Sequence, residues 1–71
     1  MQLGVYQHYK GSLYEVIDTV KHSETEETMV LYRTMYGDKD LWVRPFTMFF
    51  ENVIIDSKEV PRFKYIGDEN E

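Results

Sequence analysis

The clearest pattern along the chain is period two. Over Leu13–Lys21, Tyr14, Val16, Asp18 and Val20 fall on one side, and Leu13, Glu15, Ile17 and Thr19 on the other, with β-branched residues frequent. That stretch predicts a strand. Gly4–Tyr9 predicts another, joined to it through Lys10-Gly11-Ser12 as a hairpin. Thr28–Tyr36 is apolar on both sides, with Val30, Tyr32 and Tyr36 against Met29, Leu31 and Met35, as in a central strand of a small closed sheet. His22–Glu27 between them is a polar loop. Its Ser23-Glu24-Thr25-Glu26 has the form of a helix cap, but the strand-like run that follows rejects a helix.

Gly37-Asp38-Lys39-Asp40 is a turn, and Leu41–Arg44 a fourth strand ended by Pro45, which has no N–H to give a ladder. Proline suits the start of a helix, so residues 45–50 predict a single helical or 3₁₀ turn that plugs the sheet with Phe46 and Phe49. Asn52–Ile55 predicts a short strand, Asp56–Glu59 a turn, and Pro61–Ile66 the last strand. Leu41–Phe50 holds the sole tryptophan and three of the four phenylalanines, so the core is expected around it. The expected interior is Tyr14, Val16, Val20, Val30, Tyr32, Trp42, Val43, Phe46, Phe49, Val53 and Phe63.

Five or six short strands with one helical turn predict an all-β fold, a small SH3-like antiparallel barrel, in preference to an OB-like barrel with its longer helix. Seventy-one residues make one domain, expected over residues 1–67, with 68–71 as a disordered acidic tail.

Composition changes this picture in three ways. There is no cysteine, which removes disulfides and thiolate metal sites and accords with a reducing cytoplasm. The net charge of −5 argues against a general nucleic-acid or membrane-surface binder. The acids cluster at Glu24, Glu26 and Glu27 and in the tail, however, so a local basic face stays open. No apolar run is long enough for a membrane helix, and Met1-Gln2-Leu3-Gly4-Val5 has no signal-peptide form, so a cytosolic protein is expected.

Several segments together resemble a small bacterial family of domains of unknown function, family sixteen fifty-three. They are Gly4-Val-Tyr-Gln-His-Tyr-Lys-Gly11, Tyr14-Glu-Val16, His22-Ser-Glu-Thr25, Tyr32-Arg33, Tyr36-Gly37, Leu41-Trp-Val-Arg-Pro45, Met48-Phe49 and Val60-Pro-Arg-Phe63. The likeness runs from Gly4 to Ile66. It implies no activity, ligand or catalytic residue. Family members often carry a glycine in the turn before Val-Pro-Arg-Phe; Asp56–Glu59 has none.

The candidate chemistry is sparse. His8 and His22 with Glu15 or Glu24 have the donor types of a divalent-metal site but not the spacing. Ser12 or Ser23 with a histidine matches no nucleophile motif, and the His22-Ser-Glu-Thr25 loop is better explained as a self-bonded turn. No catalytic residue, metal or cofactor is assigned. Cations beside aromatics recur on separate strands: Tyr9-Lys10, Tyr32-Arg33, Trp42-Val-Arg44 and Arg62-Phe63. His8, Lys10, Arg33, Trp42 and Arg44 are therefore the candidate ligand-binding residues, for a phosphate, a carboxylate or a stacked base. Against this stands a structural role, with Arg33 or Arg44 paired to Glu15 or Asp18 and stacked on a ring. Tyr6, Tyr9, Tyr14, Tyr36 and Trp42 also allow an aromatic cage or proline-peptide groove.

The leading expectation is a binding module for a peptide, nucleotide or RNA. The alternatives are an enzyme or enzyme accessory using His8, His22 and Glu15, and a partner-binding or homodimerising domain with an exposed strand edge. A monomer or weak homodimer is expected.

Overall fold

The computed structural model describes residues 1–67. The expected acidic tail, 68–71, lies outside the described residues. The elements are β1 (Gly4–His8), β2 (Leu13–Lys21), β3 (Thr28–Thr34), β4 (Leu41–Pro45), α1 (Phe46–Phe49), β5 (Asn52–Ile55), β6 (Lys58–Pro61) and β7 (Phe63–Gly67).

Five strands form an antiparallel sheet in the order β4-β3-β2-β1-β7, and β5 and β6 form a separate hairpin. The β1–β2 turn closes where expected: His8 N–H donates to the Ser12 carbonyl at 2.8 Å, and Gly11 takes φ +106°. In β1–β7 pairing, Val5 stands opposite Gly67 and His8 opposite Phe63.

The fold is all-β but not a closed barrel, a correction to the expectation. β4 and β7 are the two edges of the sheet and share no ladder. Side chains fill the interior between them. Tyr6, Val16, Val30, Tyr32, Phe49 and Phe63 are buried together, with Tyr14, Phe46 and Tyr65 packed against them. Phe49 and Phe63 stack in parallel, centroids 4.1 Å apart, and Tyr32 and Tyr6 meet Phe49 at 5.6 and 5.5 Å.

Phe49 reaches this position through the turn after Pro45. The Phe50 N–H donates to the Phe46 carbonyl at 3.2 Å, one α-helical turn. It leaves Phe49 wholly buried and Phe46 half-buried.

Three expected core residues are exposed instead. The register of β2 against β3 shifts between Val16 and Asp18. Ile17 is the extra residue of a bulge, and beyond it the side-chain phase reverses. Tyr14 and Val16 stay inside, but Val20 goes out. Trp42 and Val43 are 54% and 51% exposed because β4 is an edge strand with no element covering its middle.

The chain also has one strand more than expected. Lys58–Pro61 pairs with β5, and a bend at Arg62 separates it from β7. Asp56 and Ser57 make the tight turn, with φ +51° and +66°.

Candidate functional site

The bend that separates β6 from β7 brings Arg62 beside the β1–β2 turn. The Tyr9 N–H donates to the Arg62 carbonyl at 3.0 Å. The Arg62 N–H and side chain are both held by Glu51, at 3.0 Å to its carbonyl and 2.9 Å to Oε1. The next residue, Phe63, points inward as strand alternation requires, directly across from His8.

Around that pair runs a continuous series of cation and ring contacts. Lys10 Nζ lies 5.8 Å from the Tyr9 ring centroid. The Tyr9 and His8 rings are 4.4 Å apart, and His8 and Phe63 meet edge-on at 5.0 Å. Arg44 reaches in from β4, its Cζ 5.7 Å from the Phe63 centroid. His8 Nδ1 accepts the Lys10 backbone N–H at 3.2 Å, which fixes the neutral ring with its proton on Nε2. Burial lowers the His8 pKa below its ordinary value, and the nearby charges of Arg44, Lys10 and Arg62 lower it further. Among the described residues, neither Lys10 nor Arg44 has a carboxylate within ion-pair distance.

Of the residues singled out from sequence, His8, Lys10 and Arg44 therefore meet at one corner. Arg33 lies on the other face of the sheet. It follows inward-facing Tyr32, stands opposite Glu15, and places Nε 3.3 Å from Glu15 Oε1. That is the structural pairing the sequence allowed for it. Arg62, Phe63 and Tyr9 complete the corner. Tyr9 neighbours His8 in the chain, and the Arg62-Phe63 pair is visible in the sequence, but only the pairing of β1 with β7 brings that pair to His8.

Trp42 belongs to a neighbouring cleft of about 380 Å³, between the β3–β4 loop and the aromatic side of β2 and β3. Tyr14 joins the two regions, with its ring 6.3 Å from His8 and 5.9 Å from Tyr36. The Tyr14 and Tyr36 hydroxyls are hydrogen-bonded at 3.1 Å. Burial first, then the Tyr36 hydrogen bond, push the Tyr14 pKa up to about 12, so the Tyr14 hydroxyl keeps its proton near pH 7.

His8, His22 and Glu15 do not assemble. His8 is bonded to the start of β2, His22 follows the far end of β2, and Glu15 faces Arg33 on the outer side. Among the described residues, no three His, Asp or Glu side chains converge as a metal site. The His22–Glu27 loop is self-bonded. His22 Nδ1 accepts the N–H groups of Glu24 and Thr25 at 3.2 and 3.3 Å, and Ser23 donates to the Glu24 carboxylate. The Ser23 hydroxyl is thus engaged by a carboxylate, not by the imidazole nitrogen a nucleophile would need. No helix among the described residues is long and apolar enough to cross a membrane.

Comparison with known proteins agrees with the architecture. The chain superposes on the crystal structure of a protein belonging to DUF1653 from Bordetella bronchiseptica with a TM-score of 0.88 and 31% identity, covering 96% of this chain and 90% of that one. No curated protein matches. The family model described as "Protein of unknown function (DUF1653)" matches residues 4–65. With nearly the whole fold, from β1 into β7, inside that match, the chain belongs to the DUF1653 family.

Proposed function

We propose that this protein is a small binding module for a phosphorylated ligand with a planar base, a nucleotide or short single-stranded RNA. The ligand engages the corner formed by His8, Lys10, Arg44 and Arg62. One observation carries the reading: the unbroken series Lys10–Tyr9–His8–Phe63–Arg44 on a chain of net charge −5. Phosphate oxygens take charge-assisted hydrogen bonds from Arg and Lys, and the partly exposed Tyr9 ring offers a stacking face for a base. Arg62 contributes less than its charge, because Glu51 already pairs with it.

The test is a backbone amide NMR titration with adenosine monophosphate, inorganic phosphate and a short oligouridine. The reading expects saturable shifts confined to Tyr9, Lys10, Phe63 and Arg44, weakened about tenfold by Arg44→Ala or Lys10→Ala. That loss corresponds to about 1.4 kcal/mol. Absence of localised shifts at millimolar concentrations of all three overturns it.

A second reading is favoured by β4. It is an edge strand with Leu41, Trp42 and Val43 each more than half exposed, a combination that invites pairing with another strand. Sedimentation velocity should then show a concentration-dependent dimer that Val43→Lys abolishes; a monomer at all concentrations sinks it.

A further inference from the structure

We infer that the cleft beside the β3–β4 loop is a receptor for an organic cation, an alkylated ammonium or guanidinium group. Tyr14, Tyr32, Tyr36 and Trp42 line it together with Asp38 and Asp40. This goes beyond the phosphate corner, whose ligand has the opposite charge.

The walls have the geometry such a ligand needs. Tyr14 packs edge-on against Tyr32 at 5.6 Å and Tyr36 at 5.9 Å, so the three rings form one continuous aromatic wall along the cleft. Trp42 stands beside Tyr32 in the sheet register. Ring faces attract a cation through the aromatic quadrupole, and tryptophan does so best. Trp42 and Tyr36 are 54% and 51% exposed, so their faces are open to a ligand.

The carboxylates supply the charge. Neither Asp38 nor Asp40 has a hydrogen-bonding or ionic partner among the described residues. The loop that carries them is fixed without their help. Thr34 Oγ1 donates to the Tyr36 carbonyl at 2.9 Å, the Lys39 N–H donates to the same oxygen at 3.3 Å, and Gly37 and Lys39 take positive φ. Lys39 borders the cleft too, but it also borders the opening around Glu15 and Arg33. With two aspartates against one lysine, the lining stays negative. A hydrated metal ion gains little from ring faces, whereas an alkylated cation carries its charge on a surface that is already apolar.

Trp42 is the sole tryptophan, so its emission reports on this cleft alone. Choline is titrated into the full chain while that emission is followed. The neutral isostere 3,3-dimethylbutan-1-ol is the control. The proposal expects a saturable change with choline and none with the isostere. Asp38→Asn with Asp40→Asn should weaken choline at least fivefold while circular dichroism stays unchanged, and Lys39→Gln should strengthen it. Two further probes, acetyl-trimethyllysine amide and acetyl-arginine amide, separate the sources. Tighter binding than choline assigns the cleft to a side chain of a partner protein, and weaker binding to a free amine. Equal binding of choline and its isostere overturns the proposal. So does failure of all three cations to saturate. Lys10→Ala and Arg44→Ala should leave choline binding intact, which separates this outcome from that of the phosphate corner.

Discussion

Arg44 of β4 lies over the ring of Phe63 of β7, 5.7 Å from Cζ to centroid, although these strands are opposite edges of the sheet. The contact bridges the gap that a barrel would close with backbone hydrogen bonds. A partly buried cation–ring contact contributes about 1 kcal/mol. Arg44→Ala should therefore lower the unfolding free energy by about that amount in urea denaturation, while Arg44→Lys retains about half. Arg33→Ala, which removes a half-exposed ion pair, should cost roughly 0.5 kcal/mol and leave the phosphate-induced shifts unchanged. A loss of several kcal/mol at Arg44 would mark it as chiefly structural and remove the central residue of the proposed phosphate corner.

Phe49 is the residue the fold can least spare. It is wholly buried, stacked on Phe63 and in contact with Tyr6 and Tyr32. Truncation of a buried phenylalanine costs about 3–5 kcal/mol, against a total stability of roughly 4–10 kcal/mol for a domain of this size. Phe49→Ala is expected to leave the chain largely unfolded at 37 °C by circular dichroism. Phe49→Leu, which keeps most of the volume, should fold with a depressed Tm.

The lowered pKa of His8 gives folding a pH dependence of definite sign. Between the folded value and the unfolded value near 6.5, the unfolded chain binds more protons. The His8 contribution to stability is therefore fully present above about pH 6.5, declines as pH falls through the window below it, and levels off under the folded pKa. An NMR titration of the His8 ring should show a midpoint below 6.5, and His8→Phe should flatten the fall in Tm across that window. Bound phosphate should move the midpoint upward, since it favours the imidazolium.

The β5–β6 turn carries a correctable strain. Asp56 and Ser57 both adopt positive φ, the pattern of a two-residue hairpin turn that prefers glycine at its second position. Ser57→Gly should raise stability by roughly 0.5–1 kcal/mol, seen as a higher urea midpoint with unchanged slope.

Local signals carried most of the fold. The ends of β2 and β5 follow directly from alternation and turn residues, and the turn at Phe46–Phe49 follows from Pro45 and the ring spacing. What alternation could not reveal is where it breaks. The bulge at Ile17 has no glycine to announce it, so Val20 reads as inward and lies outward. Trp42 reads as core because a lone tryptophan usually fills one, yet strand order leaves β4 at an edge. Closure of the sheet was likewise illegible, because it depends on which strands meet after the chain has turned several times. For the site, adjacency identified the cations but not their grouping. Arg33 and Arg44 look equivalent in sequence, and one position of strand phase sends the first toward Glu15 and the second toward Phe63.

The pairing of β1 with β7 has a consequence for how this unit can be carried. Val5 stands opposite Gly67, so the two ends of the described sheet leave it side by side. A fold with adjacent ends can be inserted into a surface loop of a host protein as a cassette, since a short linker on each side spans the gap without distorting either partner. The same proximity permits circular permutation, with old ends joined and new ones opened in the exposed His22–Glu27 loop. In either arrangement the aromatic face and its two candidate pockets would travel intact.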